Sequence, residues 1–187
     1  MIYIVSGFMR SGTSMMMKAL MAGGLEGYYD SSRNVMNEQY GDQHYRPNEG
    51  GFFEPSKSDF NDPNFPKMHD WKLIKVLHGG IPKLPVFNYK VVVMRRHPEE
   101  IKQSYEGFFN DRPPKILDRY DEVIEMLIQH IENRKDMTGV VLNYRDVIEN
   151  PTECFKRIGF PIDVEKATSV INPDLYRFRL ERLTEGI

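Results

Sequence analysis

The sequence predicts an α/β fold, a mainly parallel β-sheet flanked by helices. Three observations predict it. Short apolar runs alternate with stretches of helical period along the 187 residues. The run Val91, Val92, Val93, Met94 has no polar interruption, as expected of a parallel strand covered on both faces. The first strand also runs straight into a glycine turn and a helix, "IVSGFMRSGTSMMM" from Ile4 to Met17.

The elements follow in order. "MIYIVSG" is brief, apolar and rich in β-formers, so it reads as a buried strand. Gly12 to about Ala22 reads as a helix closed by Gly23 and Gly24. Burial of that helix against the sheet accounts for Met15, Met16 and Met17. From Leu25 to Asp70 no period persists, and Gly, Pro, Asn, Asp and Tyr dominate. A stretch that long without regular structure is usually functional or disordered. Its aromatic content, from Tyr28 to Phe65, argues for partial order.

"WKLIKVL" (71–77) and "YKVVVMRR" (89–96) read as strands, and Pro98 opens a helix. The segment 115–135 reads as one amphipathic helix with Ile116, Tyr120, Val123, Leu127 and Ile131 on its apolar stripe. "MTGVVLNY" (137–144) is another strand; "NPTECFKRIGF" and "DVEKATSVI" are short helices. The whole is expected to be one domain, 1–187, with a long irregular insertion at about 25–70.

A net charge of −2 with scattered basic residues argues against a general nucleic-acid or anionic-membrane binder. One cysteine, Cys154, excludes an internal disulfide framework and a cysteine-based zinc site, and core packing explains it. No apolar run reaches the roughly 18 residues of a membrane span. No basic region precedes the apolar run at Ile2, so the expected location is cytoplasmic. His44 and His69 are expected at the surface or in loops.

Gly7 and Gly12 have the spacing of a Walker A loop, G-x-x-x-x-G-K-[ST], but Thr13 stands where the lysine belongs. Arg10 supplies a positive charge earlier in the loop. A strand, a glycine turn and a helix N-terminus together favour an anion, because N–H groups and the helix dipole point at it. Ser11, Gly12, Thr13 and Ser14 complete the loop, with hydroxyl donors in the first turn. A second motif, "RRHPEEIKQS", puts Arg96 at the end of a parallel strand and Ser104 eight residues on. Ligands in open α/β sheets bind at the carboxyl ends of strands, so both motifs should face one crevice.

The pair resembles the sulfotransferase family. "FMRSGTSMM" is similar to its 5′-phosphosulfate loop, and "RRHPEEIKQS" to its 3′-phosphate motif. "NYRDVIENPTECFKRIGFPID", which contains Tyr144, resembles its Y-E-D-L segment, and "NEGGFFEP" a segment of several bacterial members. The resemblance runs from Ile2 to about Asp163. It implies a P-loop-like three-layer fold and a co-substrate, 3′-phosphoadenosine 5′-phosphosulfate, with adenosine 3′,5′-bisphosphate as product. It also implies that no metal is needed. Arg10, Ser11, Gly12, Thr13, Ser14, Arg96, Ser104 and Tyr144 would hold the donor.

Sulfonyl transfer also needs a base and a cation. Arg10 is the first candidate cation, and Lys75 resembles the family's strand-end lysine. Glu54, among Phe52, Phe53 and Pro55, is in the apolar setting a base near neutrality needs. His78 is one residue beyond the place where animal members keep a histidine, and Asp59 is a further candidate. Two features depart from the family. Phe8 and Met9 stand where proline is common, and no Arg-Lys-Gly segment ends the chain, with Arg177 and Arg179 as possible substitutes. The expected acceptor is a small molecule or carbohydrate. A P-loop ATP or GTP phosphotransferase and an inactive nucleotide-binding module are the alternatives.

Overall fold

Among the described residues, five strands hydrogen-bond in the order β2-β3-β1-β4-β5, and every neighbouring pair is parallel. They are β1 (Ile2–Gly7), β2 (Gly27–Tyr28), β3 (Leu73–Lys75), β4 (Tyr89–Arg95) and β5 (Met137–Asn143). The computed structural model describes residues 1–31, 51–55, 60 and 62–180. His44, Asp59 and the Asn48–Gly50 half of "NEGGFFEP" lie outside the described residues.

Residues alternate across the central strand β1, and each face builds its own core. Tyr3 and Val5 join Met16, Met17 and Leu20 of α1 (Thr13–Ala22) and Phe155 of α6 (Pro151–Ile158). Ile2 and Ile4 join Ile101 of α3 (Pro98–Phe109) and Ile124, Leu127 and Ile131 of α4 (Tyr120–Asn133) on the other face. Period-two alternation with both faces apolar is why β1 reads as an unbroken hydrophobic run. Cys154 is buried in the first core, as its place in an apolar helix suggested.

The chain leaves β1 toward α1 on one face and leaves β4 toward α3 on the opposite face. The two loops diverge at the carboxyl edge of adjacent strands, where Gly7 pairs with Met94. That divergence opens a crevice at the switch point of the sheet. The strand order and the β1–loop–α1 unit make the architecture P-loop-like.

Some boundaries differ from the sequence reading, for local reasons. The segment 115–135 is not one helix: Lys115–Arg119 is a 3-10 turn and α4 starts at Tyr120. Pro114 is extended, with ψ of 137°, so the chain enters this element through a tighter turn. Ile124 replaces Val123 in the buried stripe, and Ile116 is 45% exposed. Among the described residues, the short elements β2 and α2 (Phe65–Met68) lie within the stretch that lacks a period. His69 is not at the surface; it is buried against the rings of Tyr28 and Phe65. Helices α5 (Tyr144–Glu149) and α7 (Val164–Ser169) complete the first layer.

Candidate functional site

The loop after β1 is fixed by two glycines. Gly7 has φ of 140°, and a Cβ there would lie 2.6 Å from the Met94 carbonyl oxygen. Gly12 has φ of 97°, and its Cβ would lie 2.4 Å from the Tyr144 ring. Neither position takes a side chain without moving backbone or a packed ring. Arg10 at the loop apex has φ of 70°, a left-handed conformation that costs about 1–3 kcal/mol outside glycine. Ser11 is fully buried, and its hydroxyl donates to the Phe8 carbonyl at 2.8 Å. It closes the loop from inside. The N–H groups of Thr13, Ser14 and Met15 precede the first helical bond, Met16 N–H to Gly12 oxygen. No acidic residue occupies that first turn.

The second motif locks into the first. Arg10 Nε donates to Ser104 Oγ at 3.1 Å, and Arg96 Nη1 donates to the Arg10 carbonyl at 3.1 Å. Arg96 Nε donates to Glu100 Oε2 at 2.9 Å, and Nη2 to the Phe178 carbonyl at 3.2 Å. The Tyr144 ring packs under the Arg96 guanidinium at 4.5 Å and also backs Gly12. Two segments about ninety residues apart in sequence thus form one hydrogen-bonded cluster at the ends of β1 and β4.

A third cluster sits at the end of β3, which pairs with β1 through Val5 and Lys75. Lys75 Nζ donates to Ser14 Oγ at 3.2 Å and to the Phe52 carbonyl at 2.7 Å, and meets Glu54 Oε1 at 3.2 Å. Lys75 is 4% exposed and Glu54 27%, so solvent reaches the carboxylate rather than the amine. Phe53 anchors this loop: it is buried in the first core and has φ of 53°, rare for a bulky residue. That twist sends Phe53 inward while Glu54 meets Lys75.

His78 sits apart from this cluster. It stacks on Phe8, with ring centroids 4.0 Å apart and planes at 13°. Its Nδ1 is buried with no hydrogen-bond partner among the described residues. Burial lowers its pKa below the ordinary imidazole value of 6.5, against an opposing pull from the Gly7 backbone. The unfolded chain therefore binds this proton first. Stability from neutral His78 is complete above the unfolded value and is lost as pH falls below it. The melting temperature of the wild type should thus fall more steeply than that of His78→Gln between about pH 7 and about pH 5. Parallel melting curves over that range would refute the assignment of this proton to His78.

The structure thus brings Arg10, Arg96 and Ser104 together, and separately Ser14, Lys75 and Glu54, with α1 joining the two groups. The sequence reading missed three contributors. Glu100 is a buried carboxylate four residues after Arg96, and its i,i+4 spacing was the available signal. Tyr176 donates to Glu100 Oε1 at 2.7 Å; burial, then Glu100, pushes its pKa well above the phenol range. The Phe52 contribution is a carbonyl, which no side-chain pattern announces. Arg179 is placed elsewhere: it folds over Tyr176 and donates to its carbonyl at 3.2 Å. Among the described residues no group of three or more His, Cys, Asp or Glu has a metal-holding arrangement. No described helix is long and apolar enough to cross a membrane.

No family model matches the sequence, and no curated protein matches it. Among solved structures, the chain is similar to an unliganded sugar kinase from Janibacter sp. HTCC2649. Identity is 15% and the TM-score 0.47, covering 93% of this chain and 96% of that one. It is also similar to the sulfotransferase domain of the Synechococcus PCC 7002 olefin synthase. There identity is 13% and the TM-score 0.47, covering 98% and 82%. Likeness at this level carries no functional weight, so function rests on the residues of the site.

Proposed function

We propose that the chain is a sulfotransferase that moves a sulfonyl group from 3′-phosphoadenosine 5′-phosphosulfate to a hydroxyl or amine acceptor. The observation that carries this reading is the interlock of Arg10 with Ser104 and of Arg96 with the Arg10 carbonyl. It puts the glycine loop and the Arg96–Ser104 motif side by side, as a nucleotide with phosphates on both the 5′ and 3′ positions of its ribose would require. The loop N–H groups, Thr13 and Ser14 take the 5′-phosphosulfate. Arg96 and Ser104 take the 3′-phosphate, with Tyr144 behind them.

In the reaction the acceptor oxygen or nitrogen attacks sulfur in line. The bond from sulfur to the bridging oxygen breaks, and its electron pair leaves with the 5′-phosphate. Arg10 and Lys75 offset the charge that develops there, and Glu54 takes the acceptor's proton. Fixed cations and N–H groups do this without a Walker lysine. The acceptor class is a small molecule or carbohydrate, and the reaction is assigned to the cytoplasm.

Adenosine 3′,5′-bisphosphate should raise the melting temperature, and Mg-ATP should raise it far less. At about 100 times its Kd the ligand adds about 2.7 kcal/mol. Arg96→Ala should weaken the bisphosphate by about 1.5–3 kcal/mol and leave adenosine 5′-phosphate nearly unchanged. Calorimetry on both nucleotides checks this. Stronger stabilisation by Mg-ATP would point to a phosphotransferase instead.

A further inference from the structure

Glu100 is 4% exposed, yet its carboxylate holds three groups, one from Arg96 nearby and two from a distant segment. Oε2 accepts from Arg96 Nε at 2.9 Å. Oε1 accepts from the Tyr176 hydroxyl at 2.7 Å and from the Leu180 N–H at 3.2 Å. Arg96 is fixed in other directions too, by the carbonyls of Arg10 and Phe178 and by the ring of Tyr144. A buried ion pair gains little unless its other donors and acceptors are satisfied. Here they are satisfied by a segment 76 to 80 residues downstream.

We infer that Glu100 is the positioning residue of the second anion site, and that it brings the segment Tyr176–Leu180 into that site. The inference rests on Arg96 holding the 3′-phosphate, as proposed above. A guanidinium is planar, and one held through Nε and stacked on a ring keeps that plane in one orientation. Each terminal nitrogen carries a second N–H besides the one given to a carbonyl. Two such donors form the fork that takes a phosphate through two bonds. Without the carboxylate the side chain would rotate, and the fork would have to be ordered on each binding event. Phe178 makes the same segment press on α3: a Cβ on Gly107 would lie 3.1 Å from its ring. Glu100 therefore couples the C-terminal segment to phosphate recognition, the role an Arg-Lys-Gly segment would fill with side chains.

The test is isothermal calorimetry on Glu100→Gln and Tyr176→Phe with adenosine 3′,5′-bisphosphate and adenosine 5′-phosphate. Glu100→Gln should weaken the bisphosphate about ten-fold and the monophosphate by less than about two-fold. Tyr176→Phe removes one bond to the carboxylate and should weaken the bisphosphate about three-fold, again selectively. If Glu100→Gln fails to fold, Tyr176→Phe carries the test. In an Arg96→Ala background, Glu100→Gln should have no further effect on the bisphosphate. Equal losses for both nucleotides, or tighter bisphosphate binding, would reduce Glu100 to a structural staple and leave the sulfotransferase reading intact. A wild type that binds the two nucleotides equally would sink both.

Discussion

Glu54→Gln is expected to keep donor binding and to lose turnover by about 10²–10⁴ in kcat. The amide keeps the size of the side chain and its hydrogen bonding, but it cannot take the acceptor's proton. The geometry favours this residue over His78. Glu54 meets Lys75 at 3.2 Å, and Lys75 reaches Ser14 in the first turn of α1. His78 is stacked on Phe8 with a buried ring nitrogen. His78→Gln should therefore be mild in the same assay, run with an acceptor found by mass-spectrometric screening. Affinity for adenosine 3′,5′-bisphosphate on both variants separates lost chemistry from a disordered loop. Normal turnover in Glu54→Gln with a dead His78→Gln would transfer the role to His78.

The parts of the site that the sequence made legible are those with a local signature. Gly7 and Gly12 announce a backbone that approaches other atoms closely, and the structure puts Met94 and Tyr144 against them. The β-rich apolar runs announced β1 and β4, because a parallel strand buried on both faces has no polar alternation. Arg96 stands just before α3 and Ser104 within it, so their eight-residue spacing was readable as well. The remainder depends on long-range packing. Tyr176 reaches Glu100 across 76 residues, and nothing near Tyr176 predicts that. The grip on Lys75 uses a carbonyl at Phe52, and main-chain groups are the same for every residue. His69 is the turn residue expected, but its burial was not legible, because its partners, Tyr28 and Phe65, come from elements too short to leave a period.

Lys75→Met should lower kcat by about 10²–10³ while donor affinity changes only a few-fold. Two roles are open to this amine. It is a cation beside the helix N-terminus, and it is also the tie that holds the Phe52–Glu54 loop. Methionine keeps the length of the side chain and suits a position that is 4% exposed. Replacing one member of a wholly buried pair costs about 3–5 kcal/mol, because it strands the other charge. Glu54 is 27% exposed and can be solvated, so the cost should fall well below that range. A nearly unchanged melting temperature with a large loss in kcat would assign Lys75 to the charge developing on the leaving oxygen. The Lys75→Met, Glu54→Gln pair then decides how far the two act as one unit. If the amine works on the leaving group and the carboxylate on the acceptor, the double variant should be slower than either single variant. A double variant no slower than Glu54→Gln would mean that Lys75 works only by holding Glu54. Unchanged kcat with weaker donor binding would make Lys75 a ground-state ligand and leave Arg10 as the cation at the leaving oxygen.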